Sequence, residues 1–137
     1  MRSSVEFHDS TISAIALEGT SIRVCLDAYV HRWDRIDGMW HGTGWTQPVQ
    51  ILLEDASNAG LPALPVDLDG GEVRAGHLTY QGLVPLPYKS GEPATLRLEL
   101  VTGQVLNFRG SNLAIEPTGE CRYVEDLPDD FRPPDAG

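Results

Sequence analysis

His8 and Asp9 stand side by side near the start of the chain, in EFHDSTI, and His31, Asp34, Asp37 and His41 crowd a later stretch. Imidazole nitrogens and carboxylate oxygens are common ligands of zinc and other divalent ions. A metal centre would therefore draw on His8, Asp9, His31, Asp34 and His41. The spacing fits no HExxH or comparable motif, although ligands from separate loops of a β-fold would show none. A plainer role for His8-Asp9-Ser10 is a cap or turn, because Asp and Ser oxygens accept hydrogen bonds from nearby backbone N–H groups.

The segment 30–48, VHRWDRIDGMWHGTGWTQP, also holds every tryptophan of the chain: Trp33, Trp40 and Trp45. An indole offers a flat apolar face and one N–H donor, suited to stacking on a sugar ring or a partner's side chain. Gly38, Gly42 and Gly44 read as bends in a long loop over residues 31–48 that brings the rings together. Trp33, Trp40, Trp45, His41 and Tyr29 are the expected binding residues. The competing role is structural, since tryptophan is highly buried on average and three of them can seal an open end of a sandwich. Exposure decides between the two.

Catalytic motifs are missing. There is no GxSxG elbow and no GxxxxGK phosphate loop. Gly70-Gly71 reads as a turn. The balance is against an enzyme, with no catalytic residues assigned and no cofactor expected.

The elements that must position these residues read as strands. Ten prolines and fourteen glycines are spread along 137 residues and leave few windows for a three-turn helix. Leu96, Leu98 and Leu100 alternate with Arg97 and Glu99, the pattern of a half-buried strand, and Thr102-Gly103 turns the chain into Val105–Arg109. Ile12–Leu17, the turn Glu18-Gly19-Thr20 and Ser21–Tyr29 form a second hairpin. Val49–Glu54, Val73–Ala75, Leu78–Tyr80, Leu83–Leu86, Ala114–Glu116 and Cys121–Glu125 are further short strands, with Pro85 and Pro87 holding one of them at an edge. Seven to nine short strands predict a single-domain, all-β, antiparallel β-sandwich over 1–126, of jelly-roll type, with a small β-barrel as the alternative. Residues 127–137 read as a Pro/Asp-rich tail on the surface, with Phe131 as its one anchor.

Ten basic and twenty acidic residues give a net charge of −10. That charge opposes nucleic acid and anionic membranes and favours encounter with a basic protein. YVEDLPDDF near the end adds an acidic patch with aromatics. No apolar run is long enough for a membrane span and the N-terminus lacks a signal-peptide core, so a cytoplasmic protein is expected. Cys25 and Cys121 have no CxxC partner and are expected to be reduced.

EFHDSTI, GTGWTQP, LVPLPY and RYVEDLP together resemble a family of small, uncharacterised bacterial all-β proteins. The FHDS opening is similar to that of some small bacterial immunity proteins. The resemblance implies an all-β domain and carries over His8, Asp9, Trp45 and Tyr123 as motif positions without a role. The resulting expectation is a non-enzymatic binding protein engaging a protein partner, or a second copy of itself, through the 31–48 segment or the acidic surface. Neither nucleic acid nor a membrane is an expected partner. The alternatives are a carbohydrate-binding module on the three indoles, and a metal-binding protein or metal-dependent enzyme using His8, His31 and His41.

Overall fold

The computed structural model describes residues 1–58 and 60–132. Three long strands open the chain: β1 (Arg2–Glu18), β2 (Ser21–Ile36) and β3 (Met39–Glu54). Nine shorter ones follow: β4 (Ser57–Asn58), β5 (Val66–Ala75), β6 (Leu78–Gln81), β7 (Leu83–Pro85), β8 (Tyr88–Lys89), β9 (Ala94–Leu100), β10 (Val105–Gly110), β11 (Asn112–Pro117) and β12 (Arg122–Leu127). A single 3-10 turn, Asp129–Phe131, ends the described chain. All twelve strands join one antiparallel network in the order β4-β10-β9-β5-β1-β2-β3-β11-β8, with β12 beside β3, β6 beside β5 and β7 beside β1.

The network forms two layers. β1 pairs with β5 only at Thr11↔Asp67 and Ile12↔Val66, so the sheet of β5, β6, β9, β10 and β4 is hinged to the other along this short seam. Alternation fills the space between. Ile22, Val24, Leu26, Ala28 and Val30 of β2 are buried, as are Leu96, Leu98 and Leu100 of β9 and Leu106 and Phe108 of β10, in one shared cluster. Burying each of these Val, Ile, Leu and Phe side chains contributes about 1.5–3 kcal/mol, so together they outweigh any single polar contact described below. The all-β sandwich expected from the alternation is the observed architecture. Cys25 and Cys121 are both free thiols. Among the described residues no helix is long and apolar enough to cross a membrane.

Two expectations are corrected. Residues 31–48 are not a loop. They are the outer halves of β2 and β3, in unbroken register from Val30↔Trp45 to Ile36↔Met39. Asp37 and Gly38, at φ 51° and 78°, make the two-residue turn, the conformation a type I′ hairpin requires at both positions. Gly70-Gly71 is not a turn either. Both lie inside β5, and a Cβ on Gly71 would stand 2.7 Å from the Phe7 ring. Gly71 is the seat of that ring.

The tail expected over 127–137 begins as structure: Leu127 is buried and pairs with Gly42, and the 3-10 turn follows. Residues 133–137 lie outside the described part of the chain.

Candidate functional site: an acidic and aromatic cleft beside a hairpin arm

The sequence FHDS makes a bulge in β1. Glu6 pairs with Tyr29 and Thr11 with Asp27, so the four residues between face Ala28 alone. Each has a separate task. Phe7 packs on Gly71, and its N–H donates to the Gly82 carbonyl at 2.9 Å. Asp9, at φ 72°, reverses the backbone, which Asp tolerates better than most residues. Ser10 is fully buried: its hydroxyl donates to the Glu6 carbonyl at 2.6 Å and accepts from the Tyr29 N–H at 2.9 Å. One hydroxyl thus replaces the ladder bonds the bulge interrupts. The side chains of His8 and Asp9 are left outside. The turn role expected of this motif therefore falls to Ser10.

The bulge brings together Glu6, His8 and Asp9. His8 Nδ1 lies 3.2 Å from Asp9 Oδ1 and 3.9 Å from Glu6 Oε1. On the other side of Glu6, His31 Nε2 stands 2.6 Å from Oε2. His31 is only 5% exposed, and its Nδ1 has no hydrogen-bond partner. Tyr29 donates its hydroxyl to Glu125 Oε1 at 3.0 Å and meets His31 edge-on, ring centres 5.5 Å apart. Burial and then the Glu125 hydrogen bond hold the Tyr29 phenol well above its ordinary range, with Glu6 and Asp9 adding to the push. Phe131, the expected anchor of the tail, lies 6.1 Å from the His31 ring. A cleft of about 310 Å³ opens among Glu6, Asp9, Tyr29, Glu125 and Phe131, with His31 and Leu127 in its wall. Three carboxylates against aromatic walls favour a cation there.

The hairpin arm projects beside this cleft. β1 ends its pairing at Arg2↔Trp33 and β12 ends at Leu127↔Gly42, so residues 34–41 pair only with one another. Ile36 is 53% exposed and Met39 66% exposed, one on each side of the turn. Asp34 faces His41 across the arm. His41 and Asp34 are therefore part of the arm and not of the Glu6–His8–Asp9 group.

The three indoles do not converge. Opposed residues share a face, so Trp33 (with Gly42) and Trp40 (with Arg35) lie on the face of Tyr29 and His31, while Trp45 (with Val30) lies on the other. Trp33 is 1% exposed and Trp40 half-buried. Trp45 donates from Nε1 to Thr43 Oγ1 at 2.8 Å, carries the Arg32 guanidinium 4.7 Å from its ring centre, and meets Tyr123 edge-on at 5.6 Å.

Sequence reasoning singled out His8, Asp9, His31 and Tyr29, took Glu125 only as part of the acidic YVEDLPDDF patch, and missed Glu6. Glu6 sits two residues before His8 and was legible as a ligand spacing. Glu125 reaches Tyr29 from 96 residues away, and nothing local signals that pairing. Comparison with known proteins finds no matching family model, no matching curated protein and no matching solved structure.

Proposed function

We propose that the protein is a non-enzymatic binding protein that engages a basic protein partner. A lysine or arginine of the partner enters the Glu6–Asp9–Glu125 cleft, and an apolar pocket of the partner takes the tip of the arm at Ile36 and Met39. The observation that carries this reading is the position of an anionic, aromatic-walled cleft beside an arm whose residues 34–41, among the described residues, pair only with one another. The net charge of −10 steers a basic partner and repels a second copy. β12, which among the described residues pairs only with β3, repeats the bias, with Tyr123 and Val124 exposed beside Glu125 and Asp126. An immunity-type role, with a basic toxin as partner, is the form of this reading that the FHDS resemblance suggests.

The test begins with proteins captured by the wild-type chain, identified and purified, and titrated against I36S/M39S and D9N/E125Q variants. Each double variant should weaken binding by about tenfold or more, and the D9N/E125Q loss should shrink at high salt. Equal affinity for all three chains, or cross-links mapping to the sheet of β5, β9 and β10, would overturn the reading.

A second reading has its own observation. One ligand atom from each of Glu6, His8 and Asp9 lies within 4.8 Å of the others, and His31 holds Glu6 from behind as outer-shell partners hold metal-binding carboxylates. Zinc or another divalent ion suits that donor set. Calorimetry with zinc chloride on wild type and H8A decides it, since equal heats from both remove the site. The carbohydrate reading has less support, because one indole is buried and another faces the opposite side.

A further inference from the structure

The opposite layer carries a cluster of the other sign. Its outer face is formed by alternate residues of β5, β9 and β10, and the register sets them in rows. Arg74 and Arg109 flank Thr95, while Arg97 lies one step along β9, between Glu72 and Asn107. With strands ~4.8 Å apart, Arg74 and Arg109 are about 10 Å apart at their Cα atoms, with the Thr95 hydroxyl between them. Three of the ten basic residues in an acidic chain thus surround one threonine. They line a cleft of about 510 Å³ together with Thr95, Asn107 and Glu72.

These charges are not used up internally. Arg74 Nη2 contacts Glu72 at 3.0 Å and Arg97 Nη2 contacts Glu99 at 3.4 Å, which leaves most of the five N–H donors of each guanidinium available. The Arg109 guanidinium has no hydrogen-bond or ion-pair partner among the described residues. A second depression adjoins the first, shares Arg74, Thr95 and Arg109, and continues over Pro93 between Gly76 and Gly110. One half of the groove is rich in donors and the other is apolar.

We infer that this groove binds a small phosphate-bearing molecule, its phosphates held by Arg74, Arg97, Arg109 and Thr95 and its organic part lying over Pro93. Guanidinium forks match phosphate oxygens in pairs, and a hydroxyl between them supplies a further donor. A volume of this size suits a small ligand. The site lies on the layer opposite the acidic cleft and does not depend on that cleft's role.

The experiment is a titration with inorganic pyrophosphate at constant ionic strength, followed by amide NMR and calorimetry. Wild type is compared with R109Q, R97Q and, as an equal change of charge elsewhere, R122Q; unchanged melting temperatures confirm that each variant folds. Pyrophosphate should shift the amides of Arg74, Thr95 and Arg109. Affinity should fall about tenfold in R109Q and R97Q and stay unchanged in R122Q. Phenyl phosphate should bind more tightly than inorganic phosphate. Shifts no larger than sodium chloride produces, or equal losses in R122Q and R109Q, would overturn the site. Phenyl phosphate binding no better than phosphate would overturn its apolar half.

Discussion

Trp33 lies across Gly42 on the neighbouring strand, so close that a Cβ at position 42 would stand 2.5 Å from Cη2 of the ring. Neither partner can yield, since the indole is buried and the strand is paired on both sides. G42A should cost about 1–3 kcal/mol, the range for overpacking a filled core. Gly44 is the control. A Cβ there would overlap the Tyr29 hydroxyl, the far end of a side chain that can swing outward. G44A should therefore lose the Tyr29–Glu125 bond but cost less than G42A. Urea denaturation of both variants checks the order, and a G42A midpoint equal to wild type would refute the packing.

These two glycines explain why the arm was not legible. Reading Gly42 and Gly44 as bends turned a strand into a loop, when each is the absent side chain beneath a ring on β2. The signal for the hairpin was present in Asp37-Gly38, flanked by paired residues on both sides. The same inversion occurred at Gly71, which reads as a turn and serves as the seat of Phe7. By contrast the β9–β10 hairpin was legible, because Leu96, Leu98 and Leu100 alternate without a gap and Gly103, at φ 93°, lies in the turn. Part of the acidic site around Glu6 was legible for a related reason. His8 and Asp9 announce themselves by type, whereas Glu6 and Glu125 become partners only through the bulge and the β3–β12 pairing.

Ser10 is the residue on which the bulge depends. S10A leaves the buried Tyr29 N–H without its acceptor, which costs about 1–3 kcal/mol. The effect should be local as well as global. Hydrogen exchange at the Tyr29 amide should accelerate more than at Leu26, three positions along in the core. Uniform acceleration across β2 would mean that the hydroxyl is not the bond that holds the bulge.

Alkaline titration isolates Tyr29. Burial and Glu125 both favour its neutral phenol, so its folded pKa lies above the unfolded value of about 10. Stabilisation from this shift is complete below about pH 10 and is lost as pH rises towards the folded value. Tyr88 is raised by burial and Tyr123 by its hydrogen bond to Asp126, so wild type and Y29F share their contribution. The stability difference between wild type and Y29F should be constant below about pH 9 and narrow above about pH 10. A gap that widens on the alkaline side would contradict the shift.

Glu6 decides what the cleft can hold. Its two oxygens divide between His31 behind and His8 in front. E6A leaves both nitrogens of a buried imidazole without partners and should destabilise by about 1–3 kcal/mol. E6Q keeps an amide oxygen but removes the charge, so it should cost less stability while weakening any cation in the cleft. The pair therefore separates architecture from binding. If partner affinity follows charge, E6Q and E6A should lose it alike despite unequal melting temperatures. Affinity that tracks stability instead would mean that Glu6 serves the fold through His31 and takes no direct part in recognition.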